Sequence, residues 1–339
     1  MMENITDLDK ATTPAEYMFA KYHAKGPQVE LYLPALFLFF VMWFGYLGNG
    51  LVVLATWKNR ALHGTCNLFL ALSCLGDILH QSAHWFDFFP FVSFTAFAYV
   101  TVSGINFIPY RHCLYADTIP QIGCTLTICM TFFVGLDRLF SVLLPAYYRQ
   151  VNTKVYAGVC IGITALIAAY GLYGSYSFAF GAGQDMLVSC IIIDSMSPSF
   201  AQQWFLLCVV LNLLDIFVYS ACWYLIQHRT GNNESMKRVF RSLLVIMFSV
   251  AFGWLVNALV MGLIVPMAGV PISQVNYFTT FFGFLPNIAS ATNVIPLYIF
   301  SQEYRQTIRS LLAPIFPRLR VSVQKVHVLE NTKSAITFA

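Results

Sequence analysis

Long, nearly uncharged runs recur along the whole chain, and they constrain its fold more than any other feature. They lie near 31–56, 66–89, 113–137, 155–179, 201–227, 239–265 and 273–300, and each reaches the roughly 20 residues that cross a bilayer as a helix. Lipid offers the backbone no hydrogen bonds, and these runs are too long for barrel strands, so they predict helices. With 58% hydrophobic and 10% charged residues, the chain lacks the charge of a water-facing surface. The predicted fold class is an all-α membrane protein, a seven-transmembrane helix bundle.

One further uncharged segment, 88–110, has the length of an eighth span. It follows the second run with no room for a loop, and its insertion would reverse every later segment. We interpret it as the end of the second helix followed by an aromatic outer loop.

The Lys and Arg residues predict the orientation, because they concentrate in cytoplasmic loops. With the N-terminus outside, fifteen of the nineteen fall inside and four outside. We therefore expect a multi-pass plasma-membrane protein with an extracellular N-terminus and a cytoplasmic C-terminus. The basic residues follow topology, so nucleic acid is not an expected partner. The four outside are Lys10, Lys21, Lys25 and Arg111.

The predicted domains follow from this topology. Residues 1–30 form an extracellular tail that lacks the apolar region of a cleavable signal peptide, and Asn4 begins a glycosylation sequon. Residues 31–300 form the membrane domain, 301–316 an amphipathic juxtamembrane helix, and 317–339 a cytoplasmic tail. The apolar face of that short eighth helix suits the inner membrane surface; its members are Tyr304, Ile308, Leu311, Leu312 and Ile315.

Polar residues within the apolar runs are costly and therefore informative. Asn49, Asp77 and Asn293 lie in the first, second and seventh runs. Two interpretations fit these three residues: one shared polar network around a hydrated cation, or three separate packing residues. His80 and His84 lie one helical turn apart, which fits pocket lining better than a metal site, and no metal site is expected.

The third run has a distinctive residue at each end. Cys113 opens it, and Asp137 and Arg138 close it, with roughly 37 Å of helix between Cys113 and Arg138. Cys190 falls in the long outer loop, so a disulfide with Cys113 is chemically permitted. The other seven cysteines lie within or at the ends of helices and are most simply packing residues.

These residues together resemble the rhodopsin-type (class A) G-protein-coupled receptors. "TWKNRALHGTCN", "CLYADTIPQIG", "GLDRLFSVLLPAYY" and "IPLYIFSQEYR" are similar to nematode serpentine chemosensory receptors of the Srsx class over most of 31–312. The pattern departs from the superfamily in three places. Leu139 stands where tyrosine is usual, and the sixth run, "FSVAFGW", has no proline. In the seventh run, Asn293 and Pro296 are not adjacent.

The resemblance implies a receptor, not an enzyme, with an extracellular ligand, a heterotrimeric G protein as cytoplasmic partner, and no cofactor. Absence of Lys from 273–300 excludes retinal bound as a Schiff base, and Pro120 replaces the aspartate expected for amine ligands. A small organic or peptide ligand is expected. Residues expected to meet the G protein are Asp137, Arg138, Lys237, Arg238 and Arg241; candidate pocket residues are His84, Asp87, Asp117, Gln121, Trp254, Asn276 and Tyr277.

Two alternatives stay open at this point. A peptide or neuromodulator receptor would share the same fold. A seven-helix transporter or channel would be expected to show inverted repeats or charges along a midplane path, whereas Asp77 is the one midplane acid and no repeat is visible.

Overall fold

The apolar runs form helices that pack side by side. The computed structural model describes residues 13–22, 29–84, 107–183, 186–188, 190–229 and 234–316. Within these ranges, the eight main helices are α1 (Val29–Lys58), α2 (Thr65–Gln81), α3 (Tyr110–Leu143), α4 (Thr153–Ala179), α5 (Pro198–Arg229), α6 (Glu234–Leu259), α7 (Ile272–Ala291, continued by Val294–Phe300) and α8 (Gln302–Leu312).

Shorter elements complete the described part. They are an N-terminal helix (Pro14–Tyr22), a 3₁₀ turn (Arg60–Leu62), a one-turn helix (Pro145–Tyr148), and strands β1 (Ile108–Pro109) and β2 (Leu187–Val188). A π-helical turn (Val260–Ile264) and the short helix Val265–Met267 continue α6. The two strands pair antiparallel, with Ile108 opposite Val188. This small ribbon was not predicted.

Helix α3 lies at the centre of the bundle, where it packs against α2, α4 and α5. Around it, α1 contacts α2 and α7, and α6 contacts α5 and α7. One continuous apolar core joins these helices, and its largest buried members include Phe69, Met130 and Leu297.

The tightest contact is between α2 and α3, and two glycines permit it. A Cβ atom at Gly76 would lie 2.6 Å from the backbone nitrogen of Thr127, and one at Gly123 would collide with the backbone of His80. Because side chains would hold the backbones apart, glycine at these two positions allows the approach. The approach brings the polar residues of α2 and α3 within bonding distance.

Five of the described helices are long and apolar enough to cross a membrane, namely α1, α3, α4, α5 and α6 with its continuation. The other two predicted spans are α2, described as a 17-residue helix, and α7, which is broken and rich in polar residues. Most of the 88–110 segment lies outside the described residues, and its end forms β1.

Helix α3 extends further than the sequence pattern suggested. The prediction placed its end near residue 137, but the helix continues to Leu143. The segment after Arg138 contains no glycine or proline until Pro145, and proline disfavours helical backbone at the residue before it. Arg138 therefore lies within the helix and not in a loop.

The predicted seventh span is interrupted at Thr292 and Asn293. Pro296 has no N–H to donate to the Thr292 carbonyl, which instead accepts from Ile295 N at 3.0 Å. Beyond the break, α8 packs on α1, and the Tyr304 and Thr56 hydroxyls lie 2.9 Å apart. Ile315, which was predicted on the apolar, membrane-facing side of this helix, follows the end of α8 and is 70% exposed.

Candidate functional site

The carboxylate of Asp77 is the centre of a buried polar cluster in the bundle. Asn293 Nδ2 donates to Asp77 Oδ2 at 2.7 Å, and Thr127 Oγ1 donates to Oδ1 at 3.0 Å. Asp77 is fully buried, so both donors compensate part of the cost of removing the carboxylate from water. The break in α7 places Asn293 on this cluster.

Asn49 joins the cluster indirectly. Its Nδ2 donates to the backbone oxygen of Ser290 at 3.1 Å, and both residues are buried. Among the described residues, the side-chain oxygens of Asn49 and Asn293 have no hydrogen-bond donor. Amide and carboxylate oxygens are ligands that hard cations prefer, so the cluster is chemically suited to a hydrated cation, and that role stays a prediction.

Asp137 and Arg138 form an ion pair on α3. Arg138 Nη2 lies 3.4 Å from Asp137 Oδ2; the side chain of Asp137 is fully buried, and that of Arg138 is 30% exposed. Cys66 of α2 lies beside the guanidinium. The arginine is thus held within the helix bundle while part of its side chain remains accessible.

Tyr148 supplies a second partner to Asp137 that the sequence did not suggest. Its hydroxyl donates to Asp137 Oδ1 at 2.9 Å. Burial and the adjacent Asp137 carboxylate raise the pKa of Tyr148 to about 12, so the hydroxyl remains a donor. Leu139, which stands where the superfamily has tyrosine, instead packs against the apolar core.

The opposite end of α3 is covalently fixed. Cys113 and Cys190 form a disulfide that joins the helix to the segment after β2, and Tyr110 N donates to Met186 O at 2.9 Å in the same region. Arg111 Nε also donates to Ala179 O at 3.0 Å, which ties α3 to the end of α4. We refer to this as the disulfide end of the bundle and to the opposite end as the Arg138 end.

Asp117 lies directly beneath the disulfide. Its Oδ2 is 3.7 Å from Cys113 Sγ and 3.9 Å from Cys190 Sγ. These three residues form the one cluster of metal-type ligands found in the described ranges. Both sulfur atoms belong to the disulfide and offer no thiolate, so the cluster is not suited to a metal ion.

The structure divides the predicted pocket residues into separate groups. His84 Nε2 lies 3.0 Å from Asn287 Oδ1, and Trp254 packs on His80 with ring centroids 5.3 Å apart. Gln121 Nε2, in contrast, donates to Ser195 Oγ at 2.8 Å. One group therefore lies between α2, α6 and α7, and the other lies between α3 and the segment that precedes α5.

Asn276 and Tyr277 form a third group. They line a groove of about 450 Å³ between the N-terminal helix, α1 and α7, and the structure does not bring them together with the other candidates. Asp87 and Asn4 lie outside the described residues. Lys237, Arg238 and Arg241 are on the first turns of α6, where the structure describes the backbone.

Asp215 of α5 is a buried acid near the middle of the fifth run, so the prediction of Asp77 as the one midplane acid was wrong. It is 1% exposed, and neither carboxylate oxygen has a hydrogen-bond partner among the described residues. A charged residue inside an apolar run was the available signal, since such residues in spans are rarely lipid-facing. Nothing in the sequence marks Tyr148 in the same way, because its contact with Asp137 depends on the path of the chain after α3.

Comparison with known proteins agrees with this architecture. The family model described as serpentine type 7TM GPCR chemoreceptor Srsx matches residues 42–312, which is well over half of the chain. No curated protein matches the chain. The matched range begins in the middle of α1 and ends at the last residue of α8, so the similarity covers the bundle from residue 42 onward.

Proposed function

The chain belongs to the Srsx family of serpentine seven-transmembrane chemoreceptors, and from this premise we propose that it binds an extracellular chemical ligand and activates a heterotrimeric G protein. The predicted fold class and family resemblance are confirmed by the family match. The family is one of receptors and not of enzymes. The ligand, the G protein and the roles of individual residues belong to the proposal.

The proposed orientation places the disulfide end outside the cell. Disulfides persist in oxidising surroundings, and the segments at the Arg138 end carry most of the Lys and Arg residues, as cytoplasmic loops do. The N-terminus is then extracellular, where Asn4 would accept a glycan. Lys237, Arg238 and Arg241 would flank the cytoplasmic opening.

The observation that carries the proposal is the paired arginine of α3. Asp137 accepts from Tyr148 and pairs with Arg138, so the charge of the arginine is neutralised within the bundle. We infer that this is the resting arrangement. Activation would separate the cytoplasmic ends of α3, α5 and α6, and Arg138 would exchange Asp137 for the G protein.

The buried polar cluster and the pocket candidates would link ligand binding to this exchange. The Asp77–Asn293 hydrogen bond joins α2 to the broken segment of α7, and His84 and Asn287 join the same helices nearer the disulfide end. A ligand that changes the position of α7 would therefore alter both contacts. Asp117 and Gln121, beneath the disulfide, would contribute on the α3 side.

The proposal is tested by Arg138→Ala with Arg149→Ala as the matched control. Cells that express the chain are screened with chemical pools and a second-messenger readout, and active pools are applied to both variants. Arg138→Ala should reach the surface and lose ligand-evoked signalling, because the G protein loses its contact. Arg149 is exposed beyond the helix end and its removal should preserve signalling. Full signalling by Arg138→Ala would contradict the assigned role.

A further inference from the structure

The groove between the N-terminal helix, α1 and α7 combines an apolar interior with a polar rim. Its volume is about 450 Å³, within the roughly 300–1,000 Å³ range of small-molecule sites. Pro34, Phe281 and Phe284 line its apolar part, whereas Asn276 and Tyr277 bring polar atoms to it. The tilted packing of Phe37 on Phe284, with ring centroids 5.0 Å apart, extends the aromatic wall.

A cation stands at the rim of this groove. Lys21 Nζ donates to the Tyr277 hydroxyl at 3.1 Å and lies 4.6 Å from the ring centroid of Tyr22, and both tyrosines line the groove. Burial lowers the pKa of Lys21, and its hydrogen bonds with the two tyrosines raise it by more, so the net shift is upward. The amine is therefore charged at neutral pH.

The helix that carries Lys21 is fixed at both ends. Thr13 and Glu16 form a reciprocal cap, with Thr13 N to Glu16 Oε2 and Glu16 N to Thr13 Oγ1 both at 3.2 Å. Met18 and Tyr22 are buried against Phe107. The cap engages the carboxylate of Glu16, and the apolar contacts hold the position of Lys21 over the groove.

The side wall of the groove faces out of the bundle. Phe281 is 64% exposed and Phe37 is 44% exposed, and in a membrane-spanning bundle such surfaces contact lipid. Tyr277 and Phe284 lie about 8 and 18 Å along α7 from its first residue at 1.5 Å per residue. In the proposed orientation this is the outer half of a hydrocarbon core about 30 Å thick.

We propose that the groove binds a fatty carboxylate drawn from the outer leaflet, with its acyl chain along Pro34, Phe281 and Phe284 and its head group at Lys21. This inference deepens the proposed function, because it names the ligand class for a site that includes Asn276 and Tyr277. The amine of Lys21 matches the charge of a carboxylate, and Asn276 offers a second donor.

Photolabelling tests the site without reference to signalling. The full chain is placed in lipid nanodiscs with dodecanoic acid that carries a diazirine at its terminal methyl end, and labelled peptides are mapped by mass spectrometry. We expect label concentrated on 34–37 and 281–284, the part of the groove away from Lys21. Excess dodecanoate should compete for it, whereas methyl dodecanoate, which lacks the charge, should not. Label spread evenly over the lipid-facing residues of α4 and α5 would overturn the proposal.

Two variants separate the head-group contact from the apolar contact. Lys21→Gln should weaken groove labelling about tenfold or more, the factor expected for one charge-assisted hydrogen bond, and Lys21→Arg should retain it within about twofold. Thr280→Trp, which fills the groove, should abolish it. Unchanged labelling in both Lys21→Gln and Thr280→Trp would contradict the proposed pose.

The outcome is distinguishable from failure of the proposed function. Arg138→Ala should label in the groove like the unmodified chain although its signalling is lost. Specific labelling without any G-protein response in the unmodified chain would overturn the receptor mechanism and leave the carboxylate site standing. Absence of specific labelling in a signalling receptor would overturn the carboxylate site alone.

Discussion

At the scale of single residues, the number of hydrogen-bond partners distinguishes three of the buried acids, Asp77, Asp137 and Asp215. Asp77 accepts from Thr127 and Asn293, and Asp137 accepts from Tyr148 and pairs with Arg138. Asp215 is equally buried, yet its carboxylate has no hydrogen-bond partner in the described ranges. Because an uncompensated buried carboxylate is costly, the three residues should respond differently to substitution.

Tyr148→Phe should raise signalling in the absence of ligand. Loss of the hydroxyl leaves Asp137 Oδ1 without its donor, so the carboxylate is held less firmly beside Arg138 and the ion pair weakens. A hydrogen bond to a charged group contributes about 1.5–3 kcal/mol, so basal activity should rise about tenfold. Basal second messenger per surface receptor measures this.

Tyr147→Phe is the matched control for Tyr148→Phe. Tyr147 is the adjacent tyrosine and is 68% exposed, so removal of its hydroxyl should leave basal signalling unchanged. Equal behaviour of the two variants would show that the Tyr148–Asp137 contact does not restrain the receptor.

Asp215→Leu should raise the melting temperature of the purified chain, whereas Asp77→Leu should lower it. Leucine at 215 removes a carboxylate that has no hydrogen-bond donor among the described residues, a change of about 1–3 kcal/mol in favour of the fold. Leucine at 77 leaves Asn293 Nδ2 without its acceptor and leaves Thr127 Oγ1 only its longer contact with Ser73 O at 3.4 Å. Thermal unfolding in detergent measures both, and a fall in melting temperature for both variants would indicate that Asp215 has a stabilising partner.

At the scale of helices, glycine positions and proline positions set the geometry of the site. Gly76 and Gly123 allow α2 and α3 to approach closely enough for Thr127 to reach Asp77. Pro296 interrupts the hydrogen bonding of α7 and leaves Asn293 at the break, beside Asp77. The polar cluster therefore depends on backbone features of three helices as much as on its own side chains.

Gly76→Ala should destabilise the chain, because the new methyl group would lie 2.6 Å from the Thr127 backbone nitrogen. Overpacking of this kind costs about 1–3 kcal/mol. Gly162→Ala is the matched control in α4, since a Cβ there meets nothing within 4 Å and alanine favours helix. Surface expression and melting temperature should fall for Gly76→Ala only; equal values for the two would show that α2 and α3 can separate without cost.

At the scale of the whole molecule, α3 connects the two ends of the protein. The disulfide fixes one end to the segment after β2, and the Asp137–Arg138 pair lies at the other. The residues between them contact α2, α4 and α5. One continuous, packed helix therefore joins the disulfide end to the Arg138 end.

Removal of the disulfide should destabilise the folded chain. The bond closes a loop with a sequence separation of 77 residues, for which the chain-entropy model gives about 4.5 kcal/mol. Cys113→Ala, Cys190→Ala and the double variant should lower the melting temperature by similar amounts, because each removes the same bond. Additive losses from the two single changes would mean that the cysteines contribute separately.

The sequence predicted much of this architecture from local information. Apolar runs long enough to cross a bilayer identify helices without knowledge of their neighbours, because lipid leaves the backbone no other way to satisfy its hydrogen bonds. The residue types at the two ends of α3, Cys113 and Asp137–Arg138, likewise stand out in the chain by themselves. The boundaries were less predictable, as the extension of α3 to Leu143 and the break in α7 at Thr292 show.

The chain by itself thus determined the number and order of the helices of the bundle and the residues that are costly in lipid, since both depend on composition along short segments; it did not predict the N-terminal helix Pro14–Tyr22. The tertiary structure decided which of those residues meet. It joined Asp77 to Asn293, gave Asp137 a partner in Tyr148, and placed Asn276 and Tyr277 on a separate groove with Lys21. Such contacts depend on how helices rotate and approach one another, which is set by packing between residues far apart in the chain.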